Sequence, residues 1–305
     1  MFDVIVAGGG PAGLTAALYA ARAGRSVLML DPNAPGGQIN YSPLVENFPG
    51  LPKMSGARFA ETLTAQVEEL GVQMDYAAVL GFTPEAEGFR VDTDDGPRAG
   101  RALVLAPGAS HRKLGLEGED ELVGQGVSYC AVCDGPFYQG GRAAVVGGGD
   151  AALQDALFLA GLCREVVLIH RREQFRGEAS LADRVRRQEN IRLMLGWTPE
   201  ALLREEGAFR GLRLRRAESG ERTDLKVDGV FVAVGQQPGT GPFAGLVEVD
   251  DRGYFRAGED CRTRLPGVFA AGDCRAKEVR QLTTAVGDGA VAGLAAARFA
   301  EERKG

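Results

Sequence analysis

The sequence predicts an α/β protein in which one strand–turn–helix–strand plan is used twice. Residues 143–170 align with residues 4–31 without a gap. In each copy a short apolar run meets a glycine-rich turn, then a helical stretch, then a second apolar run. The 305 residues are 45% hydrophobic and 25% charged, enough for two ordinary domains with substantial cores. These features predict two Rossmann-like units.

In the first copy, Asp3 to Ala7 reads as a buried parallel strand. Gly8, Gly10 and Gly13, with Pro11 and Ala12 among them, form GxGxxG ahead of a helix from about Pro11 to Arg22. Such glycines let the backbone approach a pyrophosphate, and the helix start supplies free N–H groups. Ser26 to Leu30 reads as the second strand, and Asp31 at its end can accept hydrogen bonds from a ribose diol. The long connection that follows carries Gly36-Gly37-Gln38 and Glu46-Asn47-Phe48-Pro49-Gly50. Gln38 and Asn47 could contact a ring system or serve the loop alone. Ala57 to Leu70 has helical spacing, with Phe59, Leu63, Val67 and Leu70 on one face.

In the second copy Gly147 and Gly149 match Gly8 and Gly10, Ala152 stands for Gly13, and Asp150 and Ala151 lie between. The strand end differs. Asp31 is replaced by His170, followed by Arg171, Arg172 and Arg176. A carboxylate repels an extra phosphate, whereas guanidinium groups grip one through forked, charge-assisted hydrogen bonds. The first unit is therefore expected to bind a ribose with free hydroxyls and the second to bind NADPH. A solvated helix face is the plainer reading of arginines, and it suits Arg184, Arg186 and Arg187.

Between the copies lies Cys130-Ala131-Val132-Cys133-Asp134. A structural zinc site needs four ligands. Cys163, Cys261 and Cys274 form no second CxxC, and the only histidines are His111 and His170, so no metal is expected. The pair reads as a redox dithiol, with thiolate as its reactive form. Asp134 could carry a proton to or from a thiol if burial raises its pKa towards neutrality.

Val230 to Gly235 reads as a buried strand, and Val268 to Asp273 as a strand ending in Gly272-Asp273. There the backbone can approach a ligand while the carboxylate binds a hydroxyl. Arg280 and Gln281 precede a small-residue helix from about Leu282 to Phe299, whose start would stabilise negative charge on a reduced flavin. The net charge of −6 gives no reason to expect a nucleic-acid partner. No run reaches the ~18 apolar residues of a membrane span. No targeting segment is visible, and a cytoplasmic protein is expected.

Together these motifs resemble the bacterial-type, low-molecular-weight thioredoxin reductases along essentially the whole chain. The resemblance implies two FAD/NAD(P)-binding domains of three-layer ββα type, the second inserted in the first. FAD would occupy residues 1–110 and 243–305, with Gly108 joining the contacts named above. NADPH would occupy residues 111–242, which carry the dithiol. It implies a homodimer, a thioredoxin substrate and a mechanism. Electrons pass from NADPH through FAD to a Cys130–Cys133 disulfide, and then by exchange to thioredoxin. Cys133 resembles the thiol that faces the flavin, Cys130 the one that exchanges, and Asp134 the acid/base. The crossings near Gly108–Arg112 and Gly239–Pro242 would be hinges. Pro107, Ala151 and Gln154-Asp155 depart from the usual family pattern. The competing readings are a related flavoprotein with another electron donor, such as ferredoxin, a dithiol oxidase, and a non-catalytic nucleotide sensor.

Overall fold

A computed structural model describes residues 1–42 and 44–303. Pro43, Lys304 and Gly305, which the sequence assigns to the first domain, lie outside the described residues. In chain order the elements begin β1 (Phe2–Ala7), α1 (Pro11–Arg22), β2 (Val27–Leu30), α2 (Gly56–Glu69) and β3 (Gln73–Asp75). They continue with β4 (Val79–Glu85), β5 (Gly88–Thr93), β6 (Arg98–Leu105), β7 (Ala109–His111) and β8 (Val127–Ser128). Next come α3 (Ala131–Asp134), β9 (Arg142–Gly147), α4 (Asp150–Ala160), β10 (Glu165–His170), α5 (Ala179–Arg187) and β11 (Ile191–Leu195). The last are β12 (Trp197–Glu205), β13 (Ala208–Arg216), β14 (Arg222–Lys226), β15 (Gly229–Ala233), β16 (Gln236–Pro238), β17 (Val268–Ala270) and α6 (Leu282–Glu302).

The chain divides into two compact units, Met1–Ser110 with Gln237–Gly305, and His111–Gln236. In the first, the strand order is β3-β2-β1-β6, and β17 also pairs with β6. These contacts are all parallel. The early part of β6 also pairs antiparallel with β5, and β5 with β4, so β6 belongs to a second layer as well. Side chains alternate across the sheet. Val4 and Val6 join Ala16 of α1 and Ala292 of α6 in one core. Ile5 and Ala7 join Phe82, Phe89 and Phe255 in another. The helices thus cover one face and the meander the other, which gives the three ββα layers. Ser26, expected in the second strand, instead ties the strand ends together: its backbone N–H and hydroxyl both donate to Asp3 Oδ2, each at 3.0 Å.

The second unit repeats the plan. Its parallel sheet has the order β11-β10-β9-β15-β8, and β12-β13-β14 form an antiparallel meander. Ala143 and Val145 face Leu153 and Ala156 of α4, while Ala144 and Val146 pack with Phe209, Leu212 and Leu225 of the meander. Among the described residues no helix is long and apolar enough to cross a membrane.

Candidate active site and nucleotide cradles

The first glycine turn is shaped by close backbone approach. Gly8 has φ +114°, and a Cβ there would overlap the Ala106 carbonyl. A Cβ on Gly13 would overlap the Gly8 carbonyl. Beside Gly10, by contrast, the space a Cβ would fill is open. Gly10 caps α1, Pro11 opens it, and Ala12 is buried beneath. Asp31 Oδ2 accepts the Gly9 N–H at 2.6 Å, and its Oδ1 accepts the Asn33 N–H at 2.8 Å. The strand-end carboxylate is thereby fixed against the turn. Gly36 N–H donates to the Gly9 carbonyl at 2.8 Å, which brings Gly37 to the same turn, while Gln38 is exposed on the short 3-10 helix Gly37–Tyr41.

The late segment of this unit adds a second cluster. Asn47 Nδ2 donates to Gln281 Oε1 at 3.2 Å, joining two residues far apart in sequence. Gln281 caps α6 in a reciprocal box with Thr284. Gly272 (φ +82°) and Asp273 occupy a 3-10 turn beyond β17. Asp273 Oδ1 is buried without a hydrogen-bond partner, with Lys277 Nζ at 3.7 Å. Burial raises its pKa, opposed by the charges of Lys277 and Arg280. Arg280 Nε donates to the Asp273 carbonyl at 3.2 Å, and its guanidinium lies 4.0 Å from the Tyr254 ring centroid. Gly108 (φ +67°) accepts the Gly239 N–H through its carbonyl at 3.0 Å. Pro107 packs against Gly239, where a side chain would crowd it.

Asp288 of α6 was not singled out in the sequence. It accepts from Arg275 at 2.8 Å, Lys277 at 3.1 Å and the Gly272 N–H at 3.0 Å. It thus anchors the Gly272-Asp273 turn from behind. Its signal was visible: Asp288 is the only charged residue in α6 before Arg298.

The second glycine turn has the same form. Gly149 caps α4, again with open space where a Cβ would be. Gly147 approaches Ala233 closely, and Ala152 sits beneath it, buried. Asp150 Oδ1 accepts the Glu178 N–H at 2.6 Å, so this carboxylate holds the following loop. Ala151 is exposed. His170 lies against Gly148 and stacks on Phe175, with ring centroids 5.8 Å apart. Its Nε2 is buried and unpartnered. Burial lowers the His170 pKa, and the charges of Arg176, Arg171 and Arg172 act in the same direction. The Arg176 N–H donates to the Gly148 carbonyl at 2.7 Å, folding the arginine loop back on the turn. Arg171, Arg172 and Arg176 are exposed. Asp155, on the same helix, is pushed up to about 7 by burial.

Cys130 and Cys133 form a disulfide with Cα atoms 5.3 Å apart. Cys130 caps α3, and the Cys133 N–H donates to its Sγ at 3.2 Å. Ser128 donates to Asp134 Oδ2 at 2.6 Å. Burial raises the Asp134 pKa and the Ser128 hydrogen bond lowers it. The expected acid is therefore beside the sulfurs in sequence and held by a partner that no sequence rule marks. Glu119, buried, accepts the N–H groups of Leu114 and Gly115 at 2.9 and 2.8 Å and the Tyr129 hydroxyl at 2.8 Å. Cys163, Cys261 and Cys274 are buried free thiols.

The pyridine nucleotide-disulphide oxidoreductase family model matches residues 2–289. Thioredoxin reductase of Listeria monocytogenes is 40% identical over 304 residues, covering 100% of this chain and 95% of that one. Thioredoxin reductase of Bacillus subtilis is 36% identical, covering 99% and 96%. The crystal structure of thioredoxin reductase from Streptococcus pyogenes superposes with a TM-score of 0.94 at 37% identity, covering 99% of each chain. The chain belongs to the pyridine nucleotide-disulphide oxidoreductase family and, within it, to the bacterial-type, low-molecular-weight thioredoxin reductases, flavoprotein oxidoreductases that use FAD and NADPH.

Proposed function

We propose that this protein is a cytoplasmic, homodimeric thioredoxin-disulfide reductase in which Cys130, Cys133 and Asp134 are the catalytic residues. The observation that carries this reading is the Cys130–Cys133 disulfide with a half-buried carboxyl group directly after it, in a chain with two nucleotide cradles. FAD would be held by a domain of residues 1–110 and 243–305 and NADPH by a domain of residues 111–242, and together they would supply an electron pair to that disulfide; the compact units divide at Gln236–Gln237, six residues before the second of those bounds.

The cradles suit these groups. The open spaces at Gly10 and Gly149 admit a pyrophosphate against a helix start. Asp273 Oδ1, buried with no hydrogen bond and an ion-pair contact to Lys277 at 3.7 Å, suits a hydroxyl of the flavin side chain, and Asn47, Gln281 and Arg280 lie along the same unit. The unpartnered His170 Nε2 and the exposed Arg171, Arg172 and Arg176 suit a ribose phosphate.

The protein's own part is proton and thiol chemistry. As the disulfide takes up two electrons, each sulfur needs a proton, and Asp134 in its acid form gives one. The Cys133 N–H stabilises negative charge on Cys130 Sγ, which favours Cys130 as the exchanging thiolate. Cys130 attacks the thioredoxin disulfide to form a mixed disulfide, and Cys133 then releases reduced thioredoxin and restores the Cys130–Cys133 bond.

The test is anaerobic. NADPH should bleach the yellow FAD-loaded protein faster than NADH does, and thioredoxin should then be reduced. Cys133→Ser should keep FAD and lose thioredoxin reduction. No bleaching by either nucleotide would transfer the chain to a reductase with another donor. Light scattering at working concentration checks the dimer.

A further inference from the structure

The acid of the CxxC segment is held by a residue outside the motif. Ser128 ends β8 and is buried. Its single hydroxyl proton goes to Asp134 Oδ2, the shorter of its two donor contacts at 2.6 Å; the other, to the Cys130 carbonyl, is 3.4 Å. The same oxygen accepts the Cys130 N–H at 3.1 Å. The Asp134 N–H closes the circuit on the Cys130 carbonyl at 3.0 Å. Cys130 and Asp134 are therefore linked twice, once through backbone and once through Ser128. Chained hydrogen bonds of this kind polarise one another.

We propose that Ser128 is a positioning residue of the dithiol chemistry: its hydroxyl holds Oδ2 of Asp134, leaving Oδ1 as the oxygen that exchanges a proton with the cysteine pair. This rests on the reading of Cys130, Cys133 and Asp134 given under Proposed function. Breaking the S–S bond takes an electron pair, which bound FAD would supply, and two protons, which make two thiols. Oδ1 supplies one proton and solvent the other. Oδ2 stays paired with Ser128 throughout, so the carboxyl group does not rotate between steps. As a donor, Ser128 stabilises the ionised form and counters the burial that favours the acid form. Tyr138, in the turn that follows, is pushed up to about 12 by burial first, and then by the charges of Asp134 and Asp228. Ser128 thus keeps the group able both to give and to take the proton.

The test compares Ser128→Ala with Ser128→Thr, which restores the hydroxyl. In the FAD-loaded enzyme, the pH limb assigned to Asp134 should move about one unit higher in Ser128→Ala, since a hydrogen bond to a charged group is lost. It should return to the wild-type position in Ser128→Thr. A second readout needs no cofactor. In the reduced protein, the infrared band of a protonated carboxyl that Asp134→Asn abolishes should persist about one pH unit higher in Ser128→Ala. A lower melting temperature with both titrations unmoved would make Ser128 structural only and overturn the proposal. If the wild-type protein shows no NADPH-driven disulfide reduction, the functional reading fails, while the infrared titration still decides the role of Ser128.

Discussion

The two glycine turns are nearly the same backbone with opposite endings. In the first, Asp31 presses its carboxylate on the Gly9 N–H. In the second, His170 presses its ring on Gly148 and leaves Nε2 without a partner. The turn itself is generic, a place where a helix start meets a pyrophosphate. The residue at the strand end gives the turn its chemistry. One ending is an anion already tied to backbone donors, suited to hydroxyls. The other is a near-neutral ring flanked by three exposed guanidinium groups, suited to a phosphate.

The floor of the two turns offers the hardest test of their likeness. Gly13 and Ala152 are equivalent in the repeat, yet only the second has a Cβ. In the first turn, a Cβ on Gly13 would overlap the Gly8 carbonyl, which cannot yield without moving β1 from α1. Gly13→Ala should cost about 2–3 kcal/mol, as overpacking does, and should strip flavin from the protein. Ala152→Gly should cost only about 1 kcal/mol of helix propensity. Thermal unfolding together with the flavin absorbance of purified variants measures both. Equal effects would mean that the two floors are interchangeable after all.

The endings come next in size. Arg171→Ala, Arg172→Ala and Arg176→Ala should each raise the KM for NADPH by about tenfold, the worth of one charge-assisted hydrogen bond. The KM for NADH should barely move. His170→Asp copies the first ending into the second turn and should erase the preference for NADPH. Steady-state kinetics with both nucleotides decides it. An equal loss for both would assign the arginines to general binding rather than to the phosphate.

Much of this contrast was legible in the sequence, because the strand–glycine–helix unit is local and its spacing follows from backbone geometry. The repeat exposed the exchange of Asp31 for His170 directly. The dithiol was legible for the same reason, as its residues are adjacent. The β12–β14 meander was not identified, since its alternation is broken by register shifts near Pro199 and Leu203. Partners that follow no helix or strand spacing were also hidden. Asn47 and Gln281 stand 234 residues apart, Glu119 and Tyr129 ten, and although Asp288 stands out in its helix, its partners Arg275 and Lys277 do not. Asp150 has a second part that its spacing does not reveal: its carboxylate holds the Glu178 N–H and so shapes the loop that carries Arg176.

The smallest expected effect concerns the ring itself. Burial holds His170 below its ordinary pKa, and Arg176, Arg171 and Arg172 repel the added proton; a backbone hydrogen bond with Gln174 opposes them. The unfolded chain therefore binds the proton more readily than the folded one. Stability rises with pH wherever the unfolded state carries more protons, so this contribution is complete above the ordinary histidine value of about 6.5 and is lost progressively below it. His111, also lowered by burial, contributes in the same direction. His170→Gln removes one contribution and leaves the other. In the protein without nucleotide, the melting temperature of wild type should fall more steeply on acidification below about pH 6.5 than that of His170→Gln. A bound phosphate should narrow the gap, because an anion beside the ring favours its charged form. Asp31→Asn should leave this acid slope unchanged, since the first ending has no imidazole to titrate. Parallel acid slopes for wild type and His170→Gln would show that the ring is solvated in solution, and the two endings would then differ in charge alone.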